Sequence, residues 1–221
     1  MTLCLDIHTH HPAPQPMGVV AVSVDDFHPI EAQKYSIGIH PWLSDKNISE
    51  ETWNKFEKLA KLPCVVAIGE CGIDLGNDKG GVLYRQLLVF KRQIEISEKL
   101  GKPLVIHDVK AHDIITGLKR DLNPKQKWVI HGFRNKPTVA RMMTDRGIYL
   151  SFGEKFNPSS LSTVPQNLVL AETDESSLSI EDIIANISNS LGKTYVELRD
   201  LISSNSEIFL FGGKEIQNPK S

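Results

Sequence analysis

The chain has 221 residues, of which 40% are hydrophobic and 24% are charged, with a formal net charge of −2 and a pI near 6.4. This composition excludes a disordered or fibrous chain and suits a globular protein with one sizeable core. The small net charge argues against a broad basic surface for duplex DNA, so any contact with nucleic acid must be local. We expect a single domain covering residues 1–221.

The sequence predicts a protein of the cytoplasm that does not enter a membrane. No apolar run approaches 20 residues, and the first residues, MTLCLDIHTHH, lack the basic and apolar regions of a signal peptide. Cys4, Cys64 and Cys71 cannot all pair within one chain and show no C-x-x-C spacing, which suits a reducing compartment.

Eight short apolar runs, rich in β-branched residues, predict eight strands. They read as continuous apolar runs more than as polar and apolar alternation, which is typical of parallel strands covered by helices. In chain order they are 3–5, 19–24, 36–39, 65–68, 104–106, 129–130, 148–151 and 168–171.

Segments with helical spacing separate several of these strands, at 50–62, 83–100, 111–122 and 137–144, and two more helices follow the last strand, the first capped by Ser179. Alternation of strands and helices predicts an α/β fold, and eight such strands predict a (β/α)₈ TIM-type barrel.

The first β-α-β crossover is too short for a regular barrel. Only residues 6–18 are available, and Pro12, Pro14 and Pro16 exclude a regular helix among them. We therefore expect the barrel to be distorted or shortened at this crossover.

Histidines and carboxylates follow the predicted strands at their C-terminal ends. In a parallel barrel these ends converge on one mouth, where residues from separate strands meet around a ligand. Imidazoles and carboxylates together are the ligands that divalent metals need. The residues are Asp6, His8, His10, His40, Glu70, His107, His131, Glu172 and Asp174.

Their order predicts two metal sites. His8 and His10 lie two apart in extended backbone, so they project to the same face and could hold one ion. His107 and His131 come from adjacent strands and could hold a second ion.

Two carboxylates complete this arrangement. Glu70 lies on the strand between the two histidine pairs, where it could bridge both ions. Asp174 lies on the last strand, next to the first in a closed barrel, and could bind the first ion and take a proton from its water. Two such ions would lower the pKa of a bound water.

Other residues near the mouth have predicted supporting roles. Asp6 is expected to orient a ligand histidine or cap the strand end, and Glu172 to orient a ligand histidine. His40, Lys110 and Arg134 are candidate substrate contacts, with a structural role open for His40 and a solvated surface role open for the two cations.

Seven segments resemble, in order and rough spacing, the TatD-family metal-dependent deoxyribonucleases within the amidohydrolase-like barrels. The resemblance runs from about Leu3 to Asp174. The segments are DIHTHH, IGIHPW, AIGECGIDL, QLLVFKRQIEISEKLGKPLVIH, VIHGF, GIYLSFG and LVLAETDES.

The resemblance implies a hydrolase of phosphodiester bonds in DNA, a 3′ exonuclease that acts on single strands or 3′ ends with two divalent ions (Mg²⁺, Mn²⁺ or Zn²⁺). It assigns catalytic roles to Asp174, as general base, and to Glu70, as the bridge. The implied metal ligands are His8, His10, Glu70, His107, His131 and Asp174.

The chain departs from the family pattern around the mouth. It is shorter between His10 and His40 and after Asp174, and Val109 stands where an Arg often follows the metal-binding histidine. Two alternatives therefore stay open: a metal-dependent hydrolase of a small phosphoester, lactone or amide, and a non-catalytic binding barrel stabilised by metal.

Overall fold

The computed structural model describes residues 4–11, 18–76 and 81–212. Within these ranges eight parallel strands form one sheet in chain order, which confirms the predicted α/β barrel. The strands are β1 (Asp6–Thr9), β2 (Gly18–Ser23), β3 (Lys34–Gly38), β4 (Val65–Asp74), β5 (Leu104–Val109), β6 (Trp128–Ile130), β7 (Tyr149–Phe152) and β8 (Val169–Ala171).

The barrel is nearly closed where β1 meets the segment after β8. The amide of His10 donates to the carbonyl of Asp174 over 3.0 Å, and the amide of Asp174 donates to the carbonyl of His8 over 2.9 Å. Three predicted metal ligands therefore share the backbone hydrogen bonds that join the two ends of the sheet.

Helices follow β3 and each later strand. Ser179 caps the first helix after β8, as predicted, with its hydroxyl accepting from the amide of Asp182 over 3.1 Å. The helices are α1 (Glu50–Ala60), α2 (Leu83–Leu100), α3 (His112–Leu122), α4 (Pro137–Thr144), α5 (Pro158–Leu161), α6 (Ile180–Leu191) and α7 (Tyr195–Phe211).

The second crossover of the barrel differs from the later ones, which contain helices. Residues 12–17 of the first crossover, which include all three prolines behind its prediction, lie outside the described residues. The second crossover, residues 24–33, is fully described and contains no helix. The second crossover is therefore an irregularity that the sequence did not predict.

Several strand boundaries differ from the prediction. The first strand is Asp6–Thr9, so it begins after the described residues Cys4 and Leu5 and consists mainly of polar residues that continue the ladder with β2. Two later strands also run further than their apolar segments, so that Glu70 lies inside β4 and His107 inside β5. For β4 and β5, the apolar run therefore indicates where the strand begins, but the strand continues beyond the end of the run.

The core has two parts on opposite faces of the strands. The larger part packs the strands against the helices, and the smaller part includes Val105, Val129 and Leu170, with Phe209 of α7 packed among them. Because strand residues two apart share a face, His107 and His131 project to the same side as this smaller cluster. The smaller cluster therefore lies beneath the site. Among the described residues, no helix has the length and apolarity required to cross a bilayer.

Candidate metal centre

A bulge in β4 places Glu70 at the centre of the mouth. The pairing with β5 advances three residues along β4, from Ile68 to Cys71, but only two along β5, from Leu104 to Ile106. The extra residue is accommodated around Glu70, and such bulges re-aim side chains next to functional sites.

Glycines make this bulge possible. Gly69 and Gly72 have φ values of +153° and +135°, and a Cβ on either would collide with the carbonyl oxygen of Val105 or His107 across the strand pair. Only a residue without a side chain fits so close to a neighbouring backbone at such φ values.

The two carboxylate oxygens of Glu70 face two different groups of imidazoles. Oε2 lies 3.5 Å from Nε2 of His10 and 3.7 Å from Nε2 of His8. Oε1 lies 2.7 Å from Nδ1 of His107 and 2.8 Å from Nε2 of His131. This division is the arrangement that a bridging carboxylate requires.

Asp174 completes the first group. Its Oδ1 lies 3.7 Å from Nε2 of His8 and 3.6 Å from Nε2 of His10. Asp174 has φ of 54°, in the left-handed region that non-glycine residues seldom occupy, and such residues cluster at functional sites. Burial and the charge of Glu172 raise the pKa of the Asp174 carboxyl above its usual value.

The surroundings of His8 show whether the first group of imidazoles and carboxylates suits a cation. Its side chain is fully buried, neither ring nitrogen has a hydrogen-bond partner among the described residues, and burial lowers its pKa well below the usual value. The 3.7 Å from Nε2 to the oxygens of Glu70 and Asp174 is too long for a hydrogen bond. A neutral imidazole facing two carboxylates across such a gap fits a divalent ion between them.

The second group has carboxylates on its outer side. Nδ1 of His107 and Nε2 of His131 lie 3.4 Å apart and share Glu70. The other nitrogen of His107 lies 3.2 Å from Oδ2 of Asp74, and the other nitrogen of His131 lies 3.7 Å from Oε1 of Glu172. The contact with Asp74 is a hydrogen bond of the kind that orients a metal-binding imidazole, whereas Glu172 faces His131 across a longer gap.

Sequence reasoning missed Asp74. It is buried at the end of β4, and its Oδ2 also accepts the indole N–H of Trp42 over 2.7 Å. A signal was available, since Gly69 and Gly72 within one apolar run indicate a bulge that extends the strand to this acidic residue.

The ionisable side chains of the site shift one another's pKa values. Burial alone would raise the pKa of Glu70, but His131, His10 and His107 offset it and hold that pKa well below its usual range. Burial alone would lower the pKa of His131, but Glu70 and Glu172 raise it well above its usual value. The opposite charges of neighbouring groups therefore outweigh burial in setting both pKa values.

Asp6 and Glu172 both contact the backbone around the predicted ligands. Asp6 is buried and accepts the hydroxyl of Thr173 over 2.7 Å, the amide of Thr173 over 3.1 Å and the amide of His8 over 3.3 Å. Burial raises the pKa of Asp6 to about 7 although these bonds lower it. Glu172 accepts the amide of Gly132 and faces His131.

The three predicted substrate contacts, His40, Lys110 and Arg134, differ in how close they lie to the histidines and carboxylates around Glu70. Nε2 of His40 is 3.2 Å from Oε1 of Glu70. Lys110 and Arg134 are exposed, and neither forms an ion pair with the residues that the structure describes. Arg134 lines a cleft of about 400 Å³ together with Asp174 and Lys155, a cation that the sequence reasoning did not single out.

Known proteins resemble this chain in sequence. The family model described as TatD related DNase matches residues 30–209. An uncharacterized metal-dependent hydrolase of Buchnera aphidicola subsp. Baizongia pistaciae is 33% identical over 152 residues, 65% of this chain and 56% of that protein. A protein of Erwinia amylovora named 3′-5′ ssDNA/RNA exonuclease TatD is 36% identical over 97 residues, 43% of this chain and 37% of that protein. The chain spans somewhat over half the length of the first two curated relatives, 56% and 60%.

The fold also matches a solved structure over almost its whole length. The TatD homologue YJJV of Escherichia coli superposes with a TM-score of 0.82 at 17% identity, covering 95% of this chain and 99% of that one. At this identity the match establishes the barrel, and the chemistry must be argued from the side chains.

Proposed function

The chain belongs to the TatD-related DNase family, and from this we propose that it is a metal-dependent hydrolase that cleaves phosphodiester bonds in nucleic acid. The observation that carries the proposal is the position of Glu70, whose two oxygens face two separate groups of imidazoles. A carboxylate between two such groups suits a pair of cations, and metal pairs of this kind recur in nucleases and phosphatases.

We assign two divalent ions, Mg²⁺, Mn²⁺ or Zn²⁺, to these groups. His8, His10, Glu70 and Asp174 would hold the first, and Glu70, His107 and His131 the second. When bound, the ions would supply Lewis-acid chemistry, lowering the pKa of water and neutralising charge on a phosphate.

The side chains around the ions have distinct proposed tasks. Asp174 is about one third exposed, so its carboxylate is accessible to an attacking water and would accept the proton that this water loses. Asp74 and Glu172 would hold the imidazoles of His107 and His131 in position. Arg134 and Lys110 would contact substrate phosphates at the rim.

The proposed substrate is single-stranded DNA digested from its 3′ end. The Erwinia amylovora relative and one of Citrobacter koseri are named 3′-5′ ssDNA/RNA exonucleases, which supports a nucleic-acid substrate here. We also propose that residues 1–221 act as one catalytic domain in the cytoplasm.

Digestion of a 5′-labelled single-stranded oligonucleotide tests the proposal. With Mg²⁺ or Mn²⁺ the protein should produce a ladder that shortens from the 3′ end, EDTA should stop it, and Asp174→Asn should slow it at least about 100-fold. No cleavage above the Asp174→Asn control with Mg²⁺, Mn²⁺ or Zn²⁺ would contradict the nuclease assignment. Hydrolysis of a chromogenic phosphodiester without oligonucleotide cleavage would point instead to a small phosphoester.

A further inference from the structure

His40 is positioned at the mouth by the turn that follows β3. It is the N-terminal cap of a short 3-10 helix, Pro41–Leu43, and its Nδ1 accepts the backbone N–H of Trp42 over 3.2 Å. Its carbonyl accepts the amide of Leu43 over 2.9 Å. The ring therefore has one nitrogen committed to the backbone and the other directed into the site.

The hydrogen bond to Trp42 determines where the imidazole proton sits. A nitrogen that accepts an amide hydrogen carries no proton itself, so the proton of His40 lies on Nε2. Nε2 is 3.2 Å from Oε1 of Glu70, which places an N–H donor against that carboxylate oxygen.

This pattern is the reverse of that at the proposed ligands of the second ion. The outer nitrogens of His107 and His131 face the carboxylates of Asp74 and Glu172. At His107, where Asp74 is within hydrogen-bond distance, an outer acceptor keeps the proton on the outer nitrogen and leaves the inner one bare for a metal. The outer nitrogen of His40 instead faces a donor, the amide of Trp42.

Coordination by His40 would therefore have a structural cost. His40, Glu70 and His107 lie close enough together to hold an ion. To bind it through Nε2, His40 would have to move its proton to Nδ1, where two N–H groups would oppose each other and the amide of Trp42 would lose its acceptor.

We propose that His40 is a hydrogen-bond donor to a phosphoryl oxygen of the substrate and not a metal ligand. Its side chain is about one fifth exposed, and its ring lies 4.6 Å from that of His107, so the donor borders the second group where negative charge must be stabilised. A fixed donor at such a position contributes about 10²–10³ in kcat. This inference rests on the proposed function for its substrate, but the assignment of the proton stands on the geometry alone.

Two variants of His40 separate the alternatives. His40→Asn can place an amide oxygen near Nδ1 and keep the cap, since Asn is a good capping residue, but it has no donor at the Nε2 position. His40→Gln can place an N–H donor near the Nε2 position but loses the cap.

We expect both variants to bind as much Mn²⁺ per chain as the wild type. His40→Asn should lose about 100-fold in kcat on the oligonucleotide with KM changed only a few-fold, and His40→Gln should stay within about 10-fold of the wild type. Loss of one equivalent of Mn²⁺ in both variants would make His40 a ligand and overturn the proposal. Full activity in His40→Asn with impaired His40→Gln would make it a cap only, and would overturn the proposal equally.

Long-range ¹H–¹⁵N NMR of the metal-free protein provides a readout that needs no substrate. Against His40→Asn as the assignment control, the His40 ring should show an unprotonated Nδ1 and a protonated Nε2. The opposite tautomer would overturn the inference. Because this measurement is independent of turnover, a wild-type protein that cuts no DNA would refute the proposed function and leave the tautomer testable.

Discussion

Asp6 is the residue that ties the two ends of the sheet together at the site. Its carboxylate accepts from both the hydroxyl and the amide of Thr173, next to Asp174, and from the amide of His8. A single buried side chain thus positions the backbone that carries two proposed ligands of the first ion.

Two substitutions of Asp6 distinguish its role as a hydrogen-bond acceptor for the backbone from the effect of its negative charge. Asp6→Ala removes three hydrogen bonds and leaves two buried amides without an acceptor, so we expect about 3 kcal/mol of lost stability in urea unfolding. Asp6→Asn keeps an amide oxygen for those N–H groups and should cost less than about 1 kcal/mol. Equal stability of Asp6→Ala and the wild type would show that Asp6 does not hold this backbone.

Lys119 of α3 gives a pH dependence that is separate from the metal site. Its amine packs 4.9 Å above the ring of Trp128 and donates to the carbonyl of Gln126 over 3.2 Å, and burial lowers its pKa to about 8. In the unfolded chain a lysine keeps its proton to about pH 10.4. Between these values the unfolded state binds more protons, so stability rises with pH, and the penalty is complete below pH 8.

Lys119→Met removes this titration. The variant's free energy of unfolding minus that of the wild type should fall by about 1 kcal/mol between pH 7.5 and 10.5, after discounting for partial exposure of the amine. Urea unfolding of both proteins at pH 7.5, 9.0 and 10.5 measures the difference. A difference that is constant with pH, or that grows, would contradict the lowered pKa.

At the scale of single elements, β4 has the largest effect on the site. The sequence places Glu70 on a strand between the histidine pairs because an apolar run precedes it. Gly69 and Gly72 indicate a bulge in the sequence, but its position around Glu70 could not be predicted, since it depends on how closely β5 approaches these glycines. Contacts of this kind join residues more than 30 positions apart and leave no local hydrophobic pattern.

Glycine substitutions test whether the bulge in β4 requires the close approach of β5 to Gly72. Gly72→Ala would press a methyl group against the carbonyl of His107 at an unfavourable φ, so we expect a loss of about 3 kcal/mol or more. Gly117→Ala, in the middle of α3 with open space around its Cβ, is the matched control and should gain about 0.5–1 kcal/mol. Thermal and urea unfolding measure both, and a tolerated Gly72→Ala would show that the strands are less tightly apposed.

For the whole molecule, topology explains why much of the site could be predicted. Parallel strands in chain order bring every C-terminal end to one mouth, so histidines and carboxylates scattered over 169 positions, from Asp6 to Asp174, converge. The hydrogen bonds between partners outside the ligand set could not be predicted in the same way. The contacts of Asp74 with Trp42 and of Asp6 with Thr173 depend on loop geometry that no periodicity encodes.

The central claim is that one carboxylate, Glu70, bridges two ions at the mouth of the barrel. Anomalous diffraction from crystals grown with Mn²⁺ tests it most directly. We predict two peaks on opposite sides of the Glu70 carboxylate, one beside His8, His10 and Asp174 and the other beside His107 and His131. A single peak that does not touch Glu70, or a peak bound to Nε2 of His40, would contradict it.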